Sequence, residues 1–207
     1  MIMNVPNSLT VGRIVIVFIF LLLANISESL CISADAVYII RVVAYILAII
    51  AGITDVLDGY IARKYNQVTD FGALMDPLAD KVFVTAAMLM MVEFKLMPAW
   101  IAVVVITREF LVTGLRMLAI QKGEVISADR WGKLKTALQM LMLALAGASW
   151  INLFDLRHDV FFGIKLWTVW IFFLWGIVIV TIMSGMGYFI RHRNLYMNQK
   201  EASQKKT

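Results

Sequence analysis

The sequence is poor in cysteine and in acidic residues. Its single cysteine, Cys31, excludes an intrachain disulfide bond. Only 14 of the 207 residues are Asp or Glu, and charged residues of both signs make up 16% of the chain. A local concentration of carboxylates in such a chain therefore requires an explanation.

Apolar residues are correspondingly abundant and make up 61% of the composition. This share exceeds that of ordinary soluble domains and predicts an integral membrane protein. The net charge is +5, but the basic residues are distributed by membrane side and form no stripe with interleaved aromatics. We therefore expect anionic lipid headgroups as partners and no nucleic acid. The first apolar run lacks a cleavage pattern followed by a soluble domain, so we interpret it as a retained span.

Six apolar segments, each near the roughly 20 residues needed to cross a bilayer, predict six transmembrane helices. The third begins near Asp70 instead of Asp76 if its helix tolerates Pro77. The predicted fold is an all-α integral membrane domain over residues 1–197, with a short interfacial segment at about 1–10 and a polar, disordered tail at 198–207. The predicted spans are about 11–24, 36–54, 76–92, 98–120, 134–150 and 162–190.

The basic residues predict the orientation of this domain. Six spans place both termini on one side, and most Lys and Arg residues fall on that side. The opposite side has only Arg41, Lys95, Arg157 and Lys165. By the positive-inside rule, the N and C termini face the cytoplasm, and we expect the chain in a bacterial inner membrane.

Four aspartates are concentrated on the same side. They form the pattern D-x-x-D-G-x-x-A-R, eight residues, G-x-x-x-D-x-x-x-D between Asp55 and Asp80. On helices, aspartates three or four residues apart share a face. Several carboxylates together suit a pair of hard divalent cations such as Mg²⁺ or Mn²⁺. The intervening glycines let a ligand approach closely, and Arg63 matches a phosphate group.

A structural role can account for any one of these aspartates. Asp76 precedes Pro77 and suits a helix N-cap, and a single Asp at a membrane surface is ordinarily solvated. Four aspartates with glycines and an arginine at fixed spacing disfavour that interpretation.

The pattern resembles the signature of the CDP-alcohol phosphotransferase family, and every signature position is filled. The resemblance implies an enzyme that takes CDP-diacylglycerol as donor and uses two divalent ions, Mg²⁺ or Mn²⁺. It implies metal binding by Asp55, Asp58, Asp76 and Asp80, with Asp80 also the catalytic base, and a homodimer. An N-terminal segment, Pro6-Asn7-x-Leu9-Thr10-x-x-Arg13, resembles that of family members as well. The donor-binding residues implied by these resemblances are Asn7, Thr10, Gly59, Ala62, Arg63 and Gly72.

Two charged neighbours, Arg108 and Glu109, fall within the predicted fourth span, where a charge must pair or face water. Adjacent helical residues point about 100° apart, so we expect these two not to neutralise each other. We expect instead a polar cavity in which an anion is bound by Arg108, Arg116, Lys133 and Lys135. Two structural alternatives remain. Arg108 and Glu109 could form a buried pair with a third group, and Lys133 and Lys135 could be ordinary anchors at the cytoplasmic membrane surface.

Residues 107–116 resemble the corresponding segment of family members that make phosphatidylglycerophosphate, which implies sn-glycerol 3-phosphate as acceptor. Serine, inositol phosphate or phosphatidylglycerol are alternative acceptors. Two other classes remain open: a cation transporter, which would place acids near the midplane of several spans, and a non-catalytic membrane scaffold.

Overall fold

The structure is a computed structural model that describes the backbone of residues 5–29, 33–65, 70–121 and 130–193. Side chains are described for residues 11–26, 33–53, 81–120 and 131–193. The expected tail at 198–207 lies outside these ranges. The described chain forms six helices and one short hairpin: α1 (Val5–Ser29), α2 (Ala34–Tyr65), α3 (Asp70–Glu93), α4 (Ala99–Gln121), α5 (Arg130–Trp150), β1 (Val160–Phe161), β2 (Ile164–Lys165) and α6 (Leu166–Arg191).

The six predicted helices are present, and all except α4 begin or end several residues away from the predicted bounds. Helix α1 already begins at Val5, because a proline such as Pro6 is tolerated in a first helical turn. Helix α3 begins at Asp70 and includes Pro77. Helix α2 does not end near Thr54 but continues for 32 residues, about 48 Å at 1.5 Å per residue. That length exceeds the roughly 30 Å hydrocarbon layer, so polar residues at its end need not interrupt the helix.

The hairpin lies where the sequence predicts the beginning of the last span, at residues 162–165. Val160 pairs with Lys165 and Phe161 with Ile164 in an antiparallel register. The two residues between the strands, Phe162 and Gly163, have φ angles of 50° and 78°. Positive φ at both central residues is typical of a tight hairpin turn and is incompatible with a helix. Helix α6 therefore begins only at Leu166.

The helices bury three clusters of apolar side chains and expose a largely apolar outer surface. Helix α1 packs on α2 and α3, while α4 and α5 each pack on α6. Met88, Met142 and Leu174 are fully buried where the helices meet. Large apolar side chains such as Leu22 and Phe172 point outward. Within the described residues, Ala34–Ile53 and α6 are long and apolar enough to cross a membrane. Apolar residues on both faces are typical of helices in lipid.

One close contact makes the packing of α2 on α5 dependent on a glycine. The ring of Tyr45 occupies the space that a Cβ atom on Gly147 would take, and the Tyr45 hydroxyl donates a hydrogen bond to the Ala144 carbonyl at 2.9 Å. A side chain at position 147 must therefore displace the ring and break this bond.

We expect Gly147→Ala to lower the free energy of unfolding by about 1–3 kcal/mol, as overpacking of closely packed side chains does. The measurement is the thermal unfolding midpoint of the protein in detergent. Gly176→Ala is the matched control, because a Cβ atom there meets nothing within 4 Å. Equal midpoints for the two variants would contradict the described contact.

Candidate active site

The signature lies at the adjoining ends of two consecutive helices. Residues 55–63 belong to the C-terminal part of α2, and residues 72–80 belong to the N-terminal part of α3. Only residues 66–69 separate the two helices, so both halves of the signature lie at the same end of the bundle. The helical backbone confirms that Asp55 and Asp58, and likewise Asp76 and Asp80, are about one turn apart.

The side chains of the signature lie outside the described part of the chain. The same holds for Asn7 and Thr10, which are in the first turns of α1. The coordination expected of Asp55, Asp58, Asp76 and Asp80 therefore stays a prediction, as do the roles of Gly59, Ala62, Arg63 and Gly72. The donor set itself fits a divalent ion, because carboxylate oxygens are the ligands that Mg²⁺ and Mn²⁺ prefer. Within the described residues, no other group of three or more His, Cys, Asp or Glu side chains is placed to hold a metal.

Next to the signature, a carboxylate from α4 binds cations from two neighbouring helices. Lys81 Nζ lies 2.8 Å from Glu109 Oε2, and Lys135 Nζ contacts Glu109 Oε1. Arg108 NH1 lies 3.2 Å from the same Oε1 atom. We call these four residues the Glu109 cluster. Its side chains are largely buried, with 11% of Glu109 and 2% of Lys135 exposed.

The helices fix the position of this cluster relative to the signature. Lys81 directly follows Asp80 on α3, so its Cα is about 1.5 Å further along the helix axis. Lys135 is in the second turn of α5, and Glu109 is near the middle of α4. The cluster therefore lies at the level of the last signature aspartate.

Arg108 is held by helix α6 as well. Its NH2 group donates to Ser184 Oγ at 2.5 Å, and its Cγ atom lies 3.2 Å from where a Cβ atom on Gly185 would be. The Arg108 Nε–H group is buried and has no hydrogen-bond partner among the described residues. A buried donor without an acceptor is costly, and an oxygen of an anionic ligand would remove that cost.

The four cations expected to bind an anion do not all meet. Arg108 and Lys135 belong to the Glu109 cluster. Arg116 is further along α4, where its Nε donates to the Tyr188 hydroxyl at 3.2 Å and its guanidinium carbon lies 5.6 Å from the centroid of the Tyr188 ring. Lys133 is exposed. The described cation site is therefore narrower than the sequence predicted.

One expectation about Arg108 and Glu109 was wrong. The two neighbours do contact each other, because an arginine side chain is long enough to reach around the 100° between adjacent helical positions. The described geometry is closer to the structural alternative, in which these residues pair with a third group. Two lysines, Lys81 and Lys135, are that third group. In the sequence, Lys81 is only one of many basic residues on the side of the termini. Its position directly after the last signature aspartate was the available signal.

Arg13 is more deeply buried than its place in the sequence indicates. The charge pattern is that of a basic residue at the membrane surface, yet the side chain is only 2% exposed within the bundle. A buried arginine in an apolar bundle is expensive, which favours a role in positioning or binding. The N-terminal pattern that ends at Arg13 was the signal for it.

Comparison with known proteins extends the likeness beyond the signature. A profile of the CDP-alcohol phosphatidyltransferase family matches residues 3–183. The CDP-diacylglycerol–glycerol-3-phosphate 3-phosphatidyltransferase of Bacillus subtilis (strain 168) is 38% identical over 192 residues, covering 91% of this chain and 95% of that protein. The protein of the same name from Rickettsia typhi (strain ATCC VR-144 / Wilmington) is 36% identical over 191 residues, covering 90% of this chain and 95% of that protein.

A relative from Mycobacterium tuberculosis (strain ATCC 25618 / H37Rv) is named a probable phosphatidylglycerophosphate synthase. It is 40% identical over 142 residues, which cover 69% of this chain and 65% of that protein. The family profile spans the first five helices and most of the sixth, so it includes both the signature and the Glu109 cluster. The chain therefore belongs to the CDP-alcohol phosphatidyltransferase family.

Proposed function

We propose that the protein transfers the phosphatidyl group of CDP-diacylglycerol to sn-glycerol 3-phosphate and releases CMP. The observation that carries this proposal is the Glu109 cluster, a largely buried set of three cations and one carboxylate beside the signature. The names of the relatives from Bacillus subtilis and Rickettsia typhi support the same reaction. An anionic acceptor suits such a cluster better than serine does.

The signature residues bind and activate the donor in this proposal. Asp55, Asp58, Asp76 and Asp80 would hold two divalent ions, Mg²⁺ or Mn²⁺, which when bound neutralise charge on the diphosphate of the donor. Arg63 forms an ion pair with that diphosphate. The small residues Gly59, Ala62 and Gly72 leave room for the nucleotide, and Asn7 and Thr10 contact the donor from α1.

The acceptor is bound and deprotonated by residues of this chain. Lys135 and Arg108 hold its phosphate group, and Arg116 and Lys133 add positive charge further out. Asp80 takes the proton of the attacking hydroxyl group. The hydroxyl oxygen then forms a bond to the phosphorus on the lipid side, while the bond from that phosphorus to the CMP oxygen breaks. The products are phosphatidylglycerophosphate and CMP, without a covalent intermediate on the enzyme.

Glu109 acts in this scheme as a positioning residue. Without its carboxylate, Lys81, Arg108 and Lys135 would repel one another in a site of low dielectric. Its two oxygens fix the two lysine ammonium groups and one arginine N–H group. The cations are therefore in place before the acceptor arrives, which reduces the cost of binding it.

The membrane arrangement is part of the proposal. In this proposal the six helices of the described chain cross a bacterial inner membrane, and the excess of basic residues supports a cytoplasmic location for the termini and the signature. The acyl chains of the donor then stay in the lipid while its nucleotide reaches the aspartates. A homodimer is expected from the family.

The reaction is tested by CMP release from CDP-diacylglycerol by the purified protein. We expect release with Mg²⁺ or Mn²⁺ and glycerol 3-phosphate, and its loss in excess EDTA. Serine, inositol phosphate and phosphatidylglycerol serve as alternative acceptors in parallel reactions. Faster release with one of them would reject the proposed acceptor, and ion flux through vesicles without CMP release would reject the enzyme.

Asp80→Asn tests the proposed base. We expect turnover to fall by about 10²–10⁴-fold, the usual contribution of general base catalysis, with the thermal unfolding midpoint unchanged. Asp35→Asn is the matched control, because Asp35 is exposed at the opposite end of α2 and should retain full turnover. Normal turnover in Asp80→Asn would remove this residue from the base role.

Glu109→Gln tests positioning of the cations. We expect KM for glycerol 3-phosphate to rise by about tenfold, equivalent to about 1.4 kcal/mol, while KM for CDP-diacylglycerol stays the same. The control is Glu93→Gln, the same substitution at an exposed position at the far end of α3. An equal rise in both KM values would indicate general damage to the bundle instead of a specific loss of acceptor binding.

A further inference from the structure

The end of the bundle opposite the signature contains a cavity that the proposed reaction does not use. This polar cavity has a volume of about 400 Å³. It lies between the beginning of α2, the connection from α3 to α4 and the connection from α5 to the hairpin. Three cations line it, Arg41, Lys95 and Arg157, together with the acidic residues Glu93 and Asp155.

An apolar cavity of about 470 Å³ adjoins the polar one. Phe94, Leu96 and Trp150 line both cavities, so the two meet at these side chains. From there the apolar cavity extends between α2, α3 and α5 as far as Ile53 and Phe83. The combined space is polar at the end of the bundle and apolar further along the helices.

Trp150 lies where the two cavities meet, and its indole N–H has no hydrogen-bond acceptor among the described residues. Its side chain is 8% exposed, and the N–H group is buried. The ring stacks on Phe94, with centroids 4.9 Å apart, and the Arg41 guanidinium carbon lies 5.7 Å from its centroid. Buried indole N–H groups usually find an acceptor, so a ligand oxygen at this position would complete the site.

Hydrogen bonds within the loop engage Asp155 and position the Arg157 side chain at this cavity. Asp155 accepts hydrogen bonds from the His158 ring at 2.7 Å and from the Arg157 backbone N–H at 2.8 Å. These bonds hold the pKa of Asp155 below its ordinary value, and the bond from His158 has the largest effect. Asp155 therefore remains a carboxylate that is engaged within its own loop. The Arg157 side chain donates to the Phe94 carbonyl at 2.6 Å, which places its guanidinium group at the junction of the two cavities.

We propose that this pair of cavities binds an anionic phospholipid from the leaflet opposite the signature. The order of groups in the site matches the order of groups in such a lipid. Arg41, Lys95 and Arg157 face the phosphate, the Trp150 N–H meets an ester carbonyl, and the apolar cavity takes an acyl chain. A free anion would leave the apolar cavity unused. An acyl chain of the donor lipid could enter the apolar cavity near Ile53, but that occupant would not account for the three cations at the other end.

The test measures binding of phosphatidylglycerol to the delipidated full-length protein in an uncharged detergent, by native mass spectrometry and by the shift in thermal unfolding midpoint. EDTA is present throughout, so that metal-dependent binding at the signature is suppressed. We expect phosphatidylglycerol to bind more tightly than phosphatidylcholine. Equal binding of the two lipids would overturn the proposal of an anionic ligand.

Three variants test the three parts of the site. Arg157→Gln removes a cation, Trp150→Phe removes the N–H and keeps a ring, and Ala87→Phe fills the apolar cavity that Ala87 lines. We expect each variant to raise the dissociation constant for phosphatidylglycerol by about tenfold. Arg157→Gln loses a charge-assisted hydrogen bond, Trp150→Phe loses a buried hydrogen bond, and Ala87→Phe loses a comparable amount of apolar contact with the lipid. Arg157 is exposed, so Arg157→Gln should fold normally even if the two interior variants do not.

Two control variants distinguish lipid bound in these cavities from lipid bound elsewhere on the protein. Lys165→Gln removes an exposed cation near the same end of the bundle but outside the cavity lining, and should bind lipid normally. Arg63→Gln weakens the proposed donor site and should also bind lipid normally. Loss of binding in Arg63→Gln would assign the lipid to the donor site, and equal binding by all variants would show non-specific association. Displacement by soluble glycerol 3-phosphate would show a site for free anions. Each of these outcomes overturns the proposal.

Discussion

The ion pairs around Glu109 determine where positive charge lies within the bundle. Lys81, Arg108 and Lys135 come from three different helices, and each would be unfavourable alone in an apolar bundle. One carboxylate with two oxygens ties the three helices together at that point. Ser184 extends the network to a fourth helix through Arg108. The same interaction therefore links four helices and gathers positive charge inside the bundle.

This cluster and the signature form a single functional region because of helix register. Lys81 follows Asp80 on α3, so a structural ion pair begins one residue after the last carboxylate of the signature. Movement of α3 relative to α4 would change the distance between the two halves of the region. The long α2, which continues through the first half of the signature, presents its aspartates on regular helix. In our proposal, rigid helices rather than loops thus set the spacing between donor and acceptor.

The sequence predicted the helices well because apolar runs of this length have few other solutions. It predicted the signature by its spacing, and the family comparison supports that reading. The prediction failed at the hairpin, because Val160 and Ile164 are as apolar as the span that follows. Only the turn at Gly163 distinguishes the hairpin from the helix. It also failed at Glu109, because the partners of this residue are 28 and 26 positions away along the chain and helix periodicity does not reveal which side chains meet. Arg116 and Lys133 were grouped with Arg108 by their charge and by their positions along the predicted spans, whereas Arg116 is held separately by Tyr188.

In the proposed reaction, an acceptor phosphate at the Glu109 cluster lies beside metal ions held by the four aspartates. Phosphorus NMR of glycerol 3-phosphate with the protein measures this proximity, because bound Mn²⁺ broadens the signal of a phosphorus nucleus only at short range. We predict strong broadening when Mn²⁺ is added to the wild-type protein and little broadening with Lys135→Gln. Broadening that is equal in the two proteins, or absent from both, would contradict the account.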